Sequence, residues 1–137
     1  MAKRKLNKDK LEVDENILKL MQYGEQIKPI RNCNNYYVTT FGRVFSNKYM
    51  VQYTTLEGEE YYYVWTELKQ RLTNGYYCVN ISNNQGVRKR EYIHKLVFET
   101  FNNVVDTNVL KIVHRDKNKL NNRVGNLAVT WRKKSDY

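Results

Sequence analysis

The sequence has little of what long linkers and membrane-spanning segments need. Its 137 residues include one proline and six glycines, which argues against long disordered linkers. No apolar run approaches the roughly 18 residues of a membrane span, and the first residues lack the apolar stretch of a secretory signal. We therefore expect one domain, or two very small modules on one core, with no membrane partner.

Cysteine is also scarce in this chain. Cys33 and Cys78 are too few and too isolated for a disulfide framework or for a zinc site built from cysteines. Both lie in β-prone surroundings, and we interpret them as small buried thiols of a reducing cytosol. The predicted location of the protein is therefore the cytoplasm.

Acidic residues are few compared with basic ones. The chain has 24 Lys and Arg against 14 Asp and Glu, for a net charge of +10. This balance favours a polyanionic partner, most simply nucleic acid. The excess is concentrated between residues 110 and 137, which contain eight basic and two acidic side chains. The alternative is a solvated basic face that only aids solubility.

Hydrophobic spacing predicts short strands mixed with short helices. Helical spacing covers residues 15–23, after Asp14 as a cap, and residues 92–101, which Asn102 and Asn103 terminate. Elsewhere, alternating patterns bounded by turn residues predict strands, with Gly42 at positive φ in a turn. The predicted strands cover residues 35–40, 43–46, 50–55, 61–65, 75–82, 87–92, 109–113 and 127–131. The predicted fold class is α+β, with small antiparallel sheets or hairpins and short helices.

These elements divide the chain into three predicted parts. Residues 1–26 are a basic tail followed by a short helix. Residues 27–90 form a β-rich module, and residues 91–137 form a unit that contains a helix, a strand, an asparagine-rich turn and a returning strand.

The last of these parts carries the most informative motif. His114 follows a β-prone run, and the residues after it supply many carboxylate and amide oxygens. A neutral imidazole can activate water for phosphodiester hydrolysis, and oxygen ligands can hold a divalent metal that stabilises the leaving oxygen. Alternatively, the asparagines only build a turn, for which this residue type is well suited. The oxygen-bearing residues are Asp116, Asn118, Asn121, Asn122 and Asn126.

The ordered motif resembles the HNH family of metal-dependent nucleases, in the subgroup that reads H-x-D-x-N-K-x-N-N-x-x-x-N-L. The resemblance implies a ββα-metal fold in which His114 is the general base and Asn126 orients it through a hydrogen bond. It also implies a divalent metal, Mg²⁺ or Mn²⁺, with Asp116 and Ser135 as candidate ligands. Ser135 stands where the family usually has Asn or His, and Val113 stands where it often has Asp or Asn. The last helix is also truncated, so the resemblance is to a family member with a degenerate metal site.

Two upstream segments extend the resemblance over most of residues 28–131. Residues 92–101 are similar to the helix that precedes the catalytic unit in these proteins, in which His94 would be structural. Residues 35–46 resemble a small modular DNA-binding element that is often fused to HNH homing endonucleases of phages. The residues expected to contact nucleic acid are Arg43, Lys48, Arg115, Lys117, Lys119, Arg123, Arg132, Lys133 and Lys134.

The resemblance implies an endonuclease, encoded by a phage or mobile element, that acts on double-stranded DNA in a bacterial host cell. The alternative is a non-catalytic protein of the same fold that binds nucleic acid or inhibits a nucleic-acid-processing protein, such as a defence nuclease. A transcription regulator is a weaker interpretation, since the sequence has no helix-turn-helix of adequate quality.

Overall fold

The computed structural model of the chain describes residues 15–104 and 110–131. Within these ranges, nine strands form three antiparallel sheets, accompanied by two helices and one 3₁₀ turn, so the predicted α+β class is confirmed. The strands are β1 Ile27–Pro29, β2 Tyr36–Thr39, β3 Val44–Thr55, β4 Gly58–Glu67, β5 Arg71–Thr73, β6 Tyr76–Ser82, β7 Arg88–Tyr92, β8 Leu110–His114 and β9 Leu127–Trp131. The helices are α1 Glu15–Leu18 and α2 Ile93–Asn102, and the 3₁₀ turn is Val124–Asn126.

The first sheet has the order β1-β2-β3-β4 and continues into a two-stranded ribbon. Strand β2 pairs with β1 on one side, and on the other side it pairs only with the first residues of β3, Val44 to Ser46. Beyond a register shift between Ser46 and Tyr49, β3 and β4 pair with each other alone, up to Thr55 and Gly58. We call residues 49–64 the ribbon.

Helix α2 joins the second sheet, β5-β6-β7, to the β8-β9 hairpin through one core. Its buried Ile93 and Val97 belong to the same hydrophobic cluster as Ile81 of β6 and Leu127 of β9. The cluster also includes Val38 of β2, so it crosses the predicted division between residues 90 and 91. That division stays a prediction, but the two parts share their interior. No helix in residues 15–104 or 110–131 is long and apolar enough to cross a membrane.

Most strand predictions agree with the structure, and the differences have local causes. The predicted strands 43–46 and 50–55 are one strand, β3, because the register shift lets the chain continue through the intervening residues. Strand β1 was not predicted, since it spans three residues and ends at Pro29. Helix α2 ends as predicted: Asn103 takes the left-handed conformation at φ 53°, and its N–H bonds to Glu99 O.

Helix α1 ends at Leu18, so it is shorter than the predicted helix over residues 15–23. The carbonyl of Leu20 accepts a hydrogen bond from Arg43 Nη2 at 2.7 Å instead of continuing a helical ladder. The predicted basic tail, the cap at Asp14, the start of a strand at Val109 and the last helix lie outside the described residues. Cys78 is buried as predicted, whereas the prediction is wrong for Cys33, which is only partly buried.

Arg43 has a structural role, and its predicted phosphate contact stays a prediction. Its guanidinium makes a bidentate pair with Glu25, at 2.6 Å and 2.9 Å, and its Nη1 lies 3.1 Å from Glu67 Oε1. The Glu25 side chain is 0% exposed. Burial alone would raise the pKa of Glu25, but the hydrogen bonds from Arg43 and from the Gln22 N–H hold that pKa below its ordinary value. Arg43 therefore neutralises a buried carboxylate.

We expect Arg43→Ala to lower the free energy of unfolding by about 3 kcal/mol, because it leaves the buried Glu25 carboxylate without its partner. Urea denaturation at neutral pH measures this change. The matched control is Arg31→Ala, which removes an exposed guanidinium and should change stability by no more than about 0.5 kcal/mol. Similar small losses in both variants would contradict the structural role of Arg43.

Candidate active site

His114 lies at the end of β8, opposite Leu127 of β9, with its side chain half-buried. Its Nε2 is 2.8 Å from Oδ1 of Asn122, a residue that is 5% exposed. An amide oxygen only accepts hydrogen bonds, so Nε2 carries the proton in the neutral ring and Nδ1 keeps its lone pair. The nitrogen that can take a proton from water is therefore Nδ1.

Asn126 does not make the predicted hydrogen bond to the His114 ring. Its Oδ1 accepts from the Asp116 N–H at 3.1 Å, and its Nδ2 donates to Asp116 Oδ1 at 3.0 Å and to the Asn121 carbonyl at 2.8 Å. Every polar atom of this amide is thus committed to the backbone and side chains of the loop. The orienting residue for His114 is Asn122, four positions earlier in the asparagine-rich segment.

Asp116 organises the turn that follows His114. Its Oδ1 accepts from the Asn118 N–H at 2.8 Å, and its Oδ2 accepts from Asn121 Nδ2 at 2.8 Å. These bonds from Asn121 and Asn118, together with the one from Asn126, hold the pKa of the Asp116 carboxyl below its ordinary value. These contacts show that Asp116, Asn118, Asn121 and Asn126 build the turn, a role that the alternative interpretation gave to the asparagines, whereas Asn122 contacts the imidazole.

The β2–β3 turn supports the loop that contains Asn122. Gly42 has φ +87°, as predicted for this turn, and a Cβ added there would lie 3.1 Å from Asn122 Cβ. Next to this contact, the Val124 N–H donates a hydrogen bond to the Thr40 carbonyl at 2.9 Å. The close approach requires glycine at position 42 for both backbone conformation and space. The upstream module thus fixes the residue that orients His114.

A second histidine lies against the first. The rings of His94, on α2, and His114 are 5.4 Å apart between centroids, and Tyr76 and Tyr92 contact the His94 ring at 4.9 Å and 5.7 Å. Burial, with smaller contributions from His114 and Lys95, lowers the pKa of His94 to about 4. Its Nδ1 is buried and has no hydrogen-bond partner within the described ranges. His94 is thus a neutral packing partner of His114, and its predicted structural role stays a prediction.

Apart from Arg43, the predicted nucleic-acid contacts divide into three groups. Four are exposed cations around the His114 loop: Arg115, Lys117, Lys119 and Arg123. Arg123 stacks on the Phe41 ring at 3.9 Å, and the ammonium of Lys119 lies 5.0 Å from the Tyr76 ring centroid. Lys48 is exposed at the base of the ribbon. Arg132, Lys133 and Lys134 lie outside the described residues, as does Ser135.

The structure also brings together basic residues that the sequence analysis missed. A cavity of about 360 Å³ on the second sheet is lined by four cationic side chains together with Asn80, Thr73 and Cys78. The four cations are Lys69, Arg71, Arg88 and Arg90. Register places Arg90 opposite Asn80 and Arg88 opposite Ser82, so both arginines lie on the same face of the sheet. Their spacing of two residues along a predicted strand was a signal that could have identified them.

The fold and motif match known proteins. A protein named as an uncharacterized HNH endonuclease of Acanthamoeba polyphaga mimivirus is 38% identical over 104 residues, which is 72% of this chain. The solved structure of the HNH homing endonuclease I-HmuI superposes with a TM-score of 0.56 and 24% identity over 77% of this chain. The chain belongs to an HNH endonuclease-like family. No protein-family model matches it.

This HNH endonuclease-like chain corresponds to only part of each relative. The match covers 25% of the mimivirus protein and 52% of I-HmuI. At 24% identity, the likeness to I-HmuI shows a shared fold alone, and the match does not transfer the activity of either whole relative to this chain.

The described part of this HNH-like unit does not supply a set of metal ligands. Within residues 15–104 and 110–131, no group of three or more His, Cys, Asp or Glu side chains is placed to hold a metal ion. Asp116, the candidate ligand in this region, already accepts hydrogen bonds on both carboxylate oxygens. Among these residue types the described ranges hold an incomplete ligand set, and the predicted Mg²⁺ or Mn²⁺ stays a prediction.

The lowered pKa of His94 predicts an acid-sensitive fold. An unfolded histidine titrates near 6.5 and folded His94 near 4, so the unfolded chain binds the extra proton between these pH values. The stability that neutral His94 contributes is present above pH 6.5 and is lost as pH falls towards 4. The total loss is at most about 3 kcal/mol for this site.

Urea denaturation across that pH window tests the prediction. His94→Gln should flatten the dependence of unfolding free energy on pH, because it removes the titrating group. His114→Gln is the matched control and should retain most of the slope, since burial is the main cause of the His94 shift. A slope that is the same in wild type and His94→Gln would contradict the assignment.

Proposed function

We propose that the chain is a DNA-binding HNH endonuclease that hydrolyses phosphodiester bonds, with Nδ1 of His114 as the general base. The observation that carries the proposal is the 2.8 Å contact between His114 Nε2 and Asn122 Oδ1, which leaves Nδ1 as the basic nitrogen. In this mechanism a water molecule loses its proton to Nδ1 while its oxygen bonds to the phosphorus. The P–O bond to the leaving strand end breaks, and the departing oxygen takes a proton from solvent. The Asn122 oxygen then stabilises the imidazolium by accepting a hydrogen bond from the Nε2–H of His114.

The exposed cations beside His114 suit this reaction. Arg115 and Arg123 lie on the loop that follows His114 and contains Asn122, where a phosphate would meet positive charge. Arginine donates several N–H groups in a planar array that matches phosphate oxygens. These side chains would hold the scissile phosphate and offset the negative charge that develops on it.

A second basic surface supports duplex DNA as the substrate. The sheet-face cluster, defined as Lys69, Arg71, Arg88 and Arg90, lies on the sheet that also presents Tyr76. Tyr76 is 6.1 Å from His114 between ring centroids, so the sheet and the candidate base are neighbours. I-HmuI, the neighbour in fold, is described by its DNA binding and cleavage. We propose that one duplex contacts both basic surfaces.

Dependence on Mg²⁺ or Mn²⁺ is part of this proposal, and we assign no step of the reaction to the metal. The described residues offer an incomplete ligand set. This observation favours a second candidate function: a non-catalytic protein that binds DNA, or a nucleic-acid-processing partner, through the same surfaces. We place either protein in the cytoplasm of a host cell and propose a phage or mobile element as its origin.

Plasmid cleavage distinguishes the two functions. The wild-type protein should convert supercoiled plasmid to nicked or linear DNA with Mg²⁺ or Mn²⁺. His114→Ala should lose at least about a hundredfold in rate, because it removes the general base. Asn122→Ala should lose activity as well, because the ring is no longer held in the reactive tautomer.

The control for this assay is the DNA affinity of each variant, measured in parallel. His114→Ala should still bind DNA, since the exposed cations remain. Cleavage that persists in His114→Ala would reject the base assignment. Intact plasmid in all metal conditions, with DNA binding retained, would establish the non-catalytic function instead.

The sheet-face cluster makes a separate prediction about DNA affinity. Replacing Arg88 and Arg90 together with Gln should weaken binding and reduce the slope of log affinity against log salt by about 2, because two phosphate contacts are lost. Fluorescence anisotropy with a labelled duplex at several salt concentrations measures both quantities. Arg43→Gln is the matched control, since Arg43 is paired with Glu25, and its slope should equal that of wild type at temperatures where it is folded. An unchanged slope in the double variant would exclude this face from the DNA contact.

A further inference from the structure

One face of the ribbon is apolar and exposed. Register places Tyr49 opposite Val64 and Val51 opposite Tyr62, so these four side chains share a face. Tyr53 is two residues beyond Val51 and extends the same face towards the tip. We call these five residues the apolar strip. Tyr49 is 65% exposed, Tyr62 42%, and Val51 and Val64 36% each.

The two ends of the apolar strip carry opposite charge. At the tip, Glu60 shares the face of Tyr53, and Glu57 is exposed in the turn between the strands. At the base, the ammonium of Lys48 lies 5.6 Å from the centroid of the Tyr49 ring. The ribbon itself contains three glutamates and no lysine or arginine, in a chain of net charge +10.

This composition does not suit a DNA contact. Carboxylates and apolar side chains would be placed against phosphates, and a surface that binds nucleic acid relies on cations to neutralise them. Contiguous exposed apolar patches on soluble proteins instead mark sites of protein association. The ribbon therefore has a different partner from the basic surfaces around His114.

We propose that the apolar strip is a self-association surface, on which the ribbon of a second copy of this chain packs in the opposite direction. A two-fold axis through the middle of the strip places the acidic tip of each ribbon against the Lys48 base of the other. The same arrangement covers the apolar strip of both copies at once. An interface with apolar centre and opposite charges at its ends is self-complementary under this symmetry.

The size of the strip sets the expected strength of the contact. The seven paired positions from Tyr49 to Thr55 extend about 20 Å along the strand direction. An interface of this length is smaller than the standard interface of about 800 Å² per partner, so a weak and concentration-dependent dimer is expected. This self-association does not depend on nuclease activity, and DNA cleavage could fail while the dimer forms.

Sedimentation equilibrium of the wild-type chain without DNA tests the proposal. The mass should rise from monomer towards dimer as protein concentration increases. Tyr62→Asn should raise the dissociation constant by about tenfold or more, because it removes apolar contact at the centre of the strip. Tyr23→Asn is the matched control, since Tyr23 is fully exposed outside the ribbon, and it should leave the dimer unchanged.

A charge exchange tests the orientation of the two copies. Lys48→Glu alone and Glu57→Lys alone should each weaken the dimer, whereas the double variant should recover most of the wild-type affinity. Circular dichroism establishes that each variant is folded. A monomer at every concentration, or a dimer that Tyr62→Asn does not weaken, would overturn the proposal. Failure of the double variant to recover affinity would overturn the antiparallel arrangement.

Discussion

The hydrogen bond between His114 and Asn122 is the interaction on which the candidate site depends. It assigns the proton to Nε2 and the lone pair to Nδ1, so it decides which ring atom can act as a base. Asn122 in turn is held by its close approach to Gly42, where a side chain would lie 3.1 Å from its Cβ. A turn in the upstream module therefore controls the chemistry of a histidine more than seventy residues later in the chain.

Hydrogen-bond partners separate the charged residues of this protein into two groups with different tasks. Arg43 is paired with a fully buried carboxylate, and the exposed Asp116 carboxylate accepts hydrogen bonds from amides of its own loop, so both serve the fold. The exposed cations near His114 and on the second sheet suit a polyanion. The ribbon is the exception to the basic character of the chain, and its apolar face and glutamates set it apart as a surface for a protein partner.

Much of the fold follows from local sequence patterns. The predictions differ from the structure where tertiary contacts determine where an element ends or which side chains are hydrogen-bonded. Hydrophobic spacing correctly predicts helix α2 and the β6–β7 hairpin, and the backbone preference of glycine correctly predicts the turn at Gly42. Helix α1 ends at Leu18, and the nearby Leu20 carbonyl bonds to Arg43, a residue of the β2–β3 turn that is distant in sequence. In the site, His114 and the asparagine-rich turn were identified from order and spacing. The choice of Asn122 over Asn126 as the ring's partner depends on how the loop packs against Gly42, which sequence spacing does not encode.

The most direct test of the account is the tautomer of His114, measured by ¹⁵N nuclear magnetic resonance of the histidine side chains at neutral pH. We expect the neutral form of the ring to carry its proton on Nε2 and to leave Nδ1 bare in the wild-type protein, and we expect Asn122→Ala to lose this preference. A proton on Nδ1 in the wild-type protein, or a tautomer unaffected by Asn122→Ala, would contradict it.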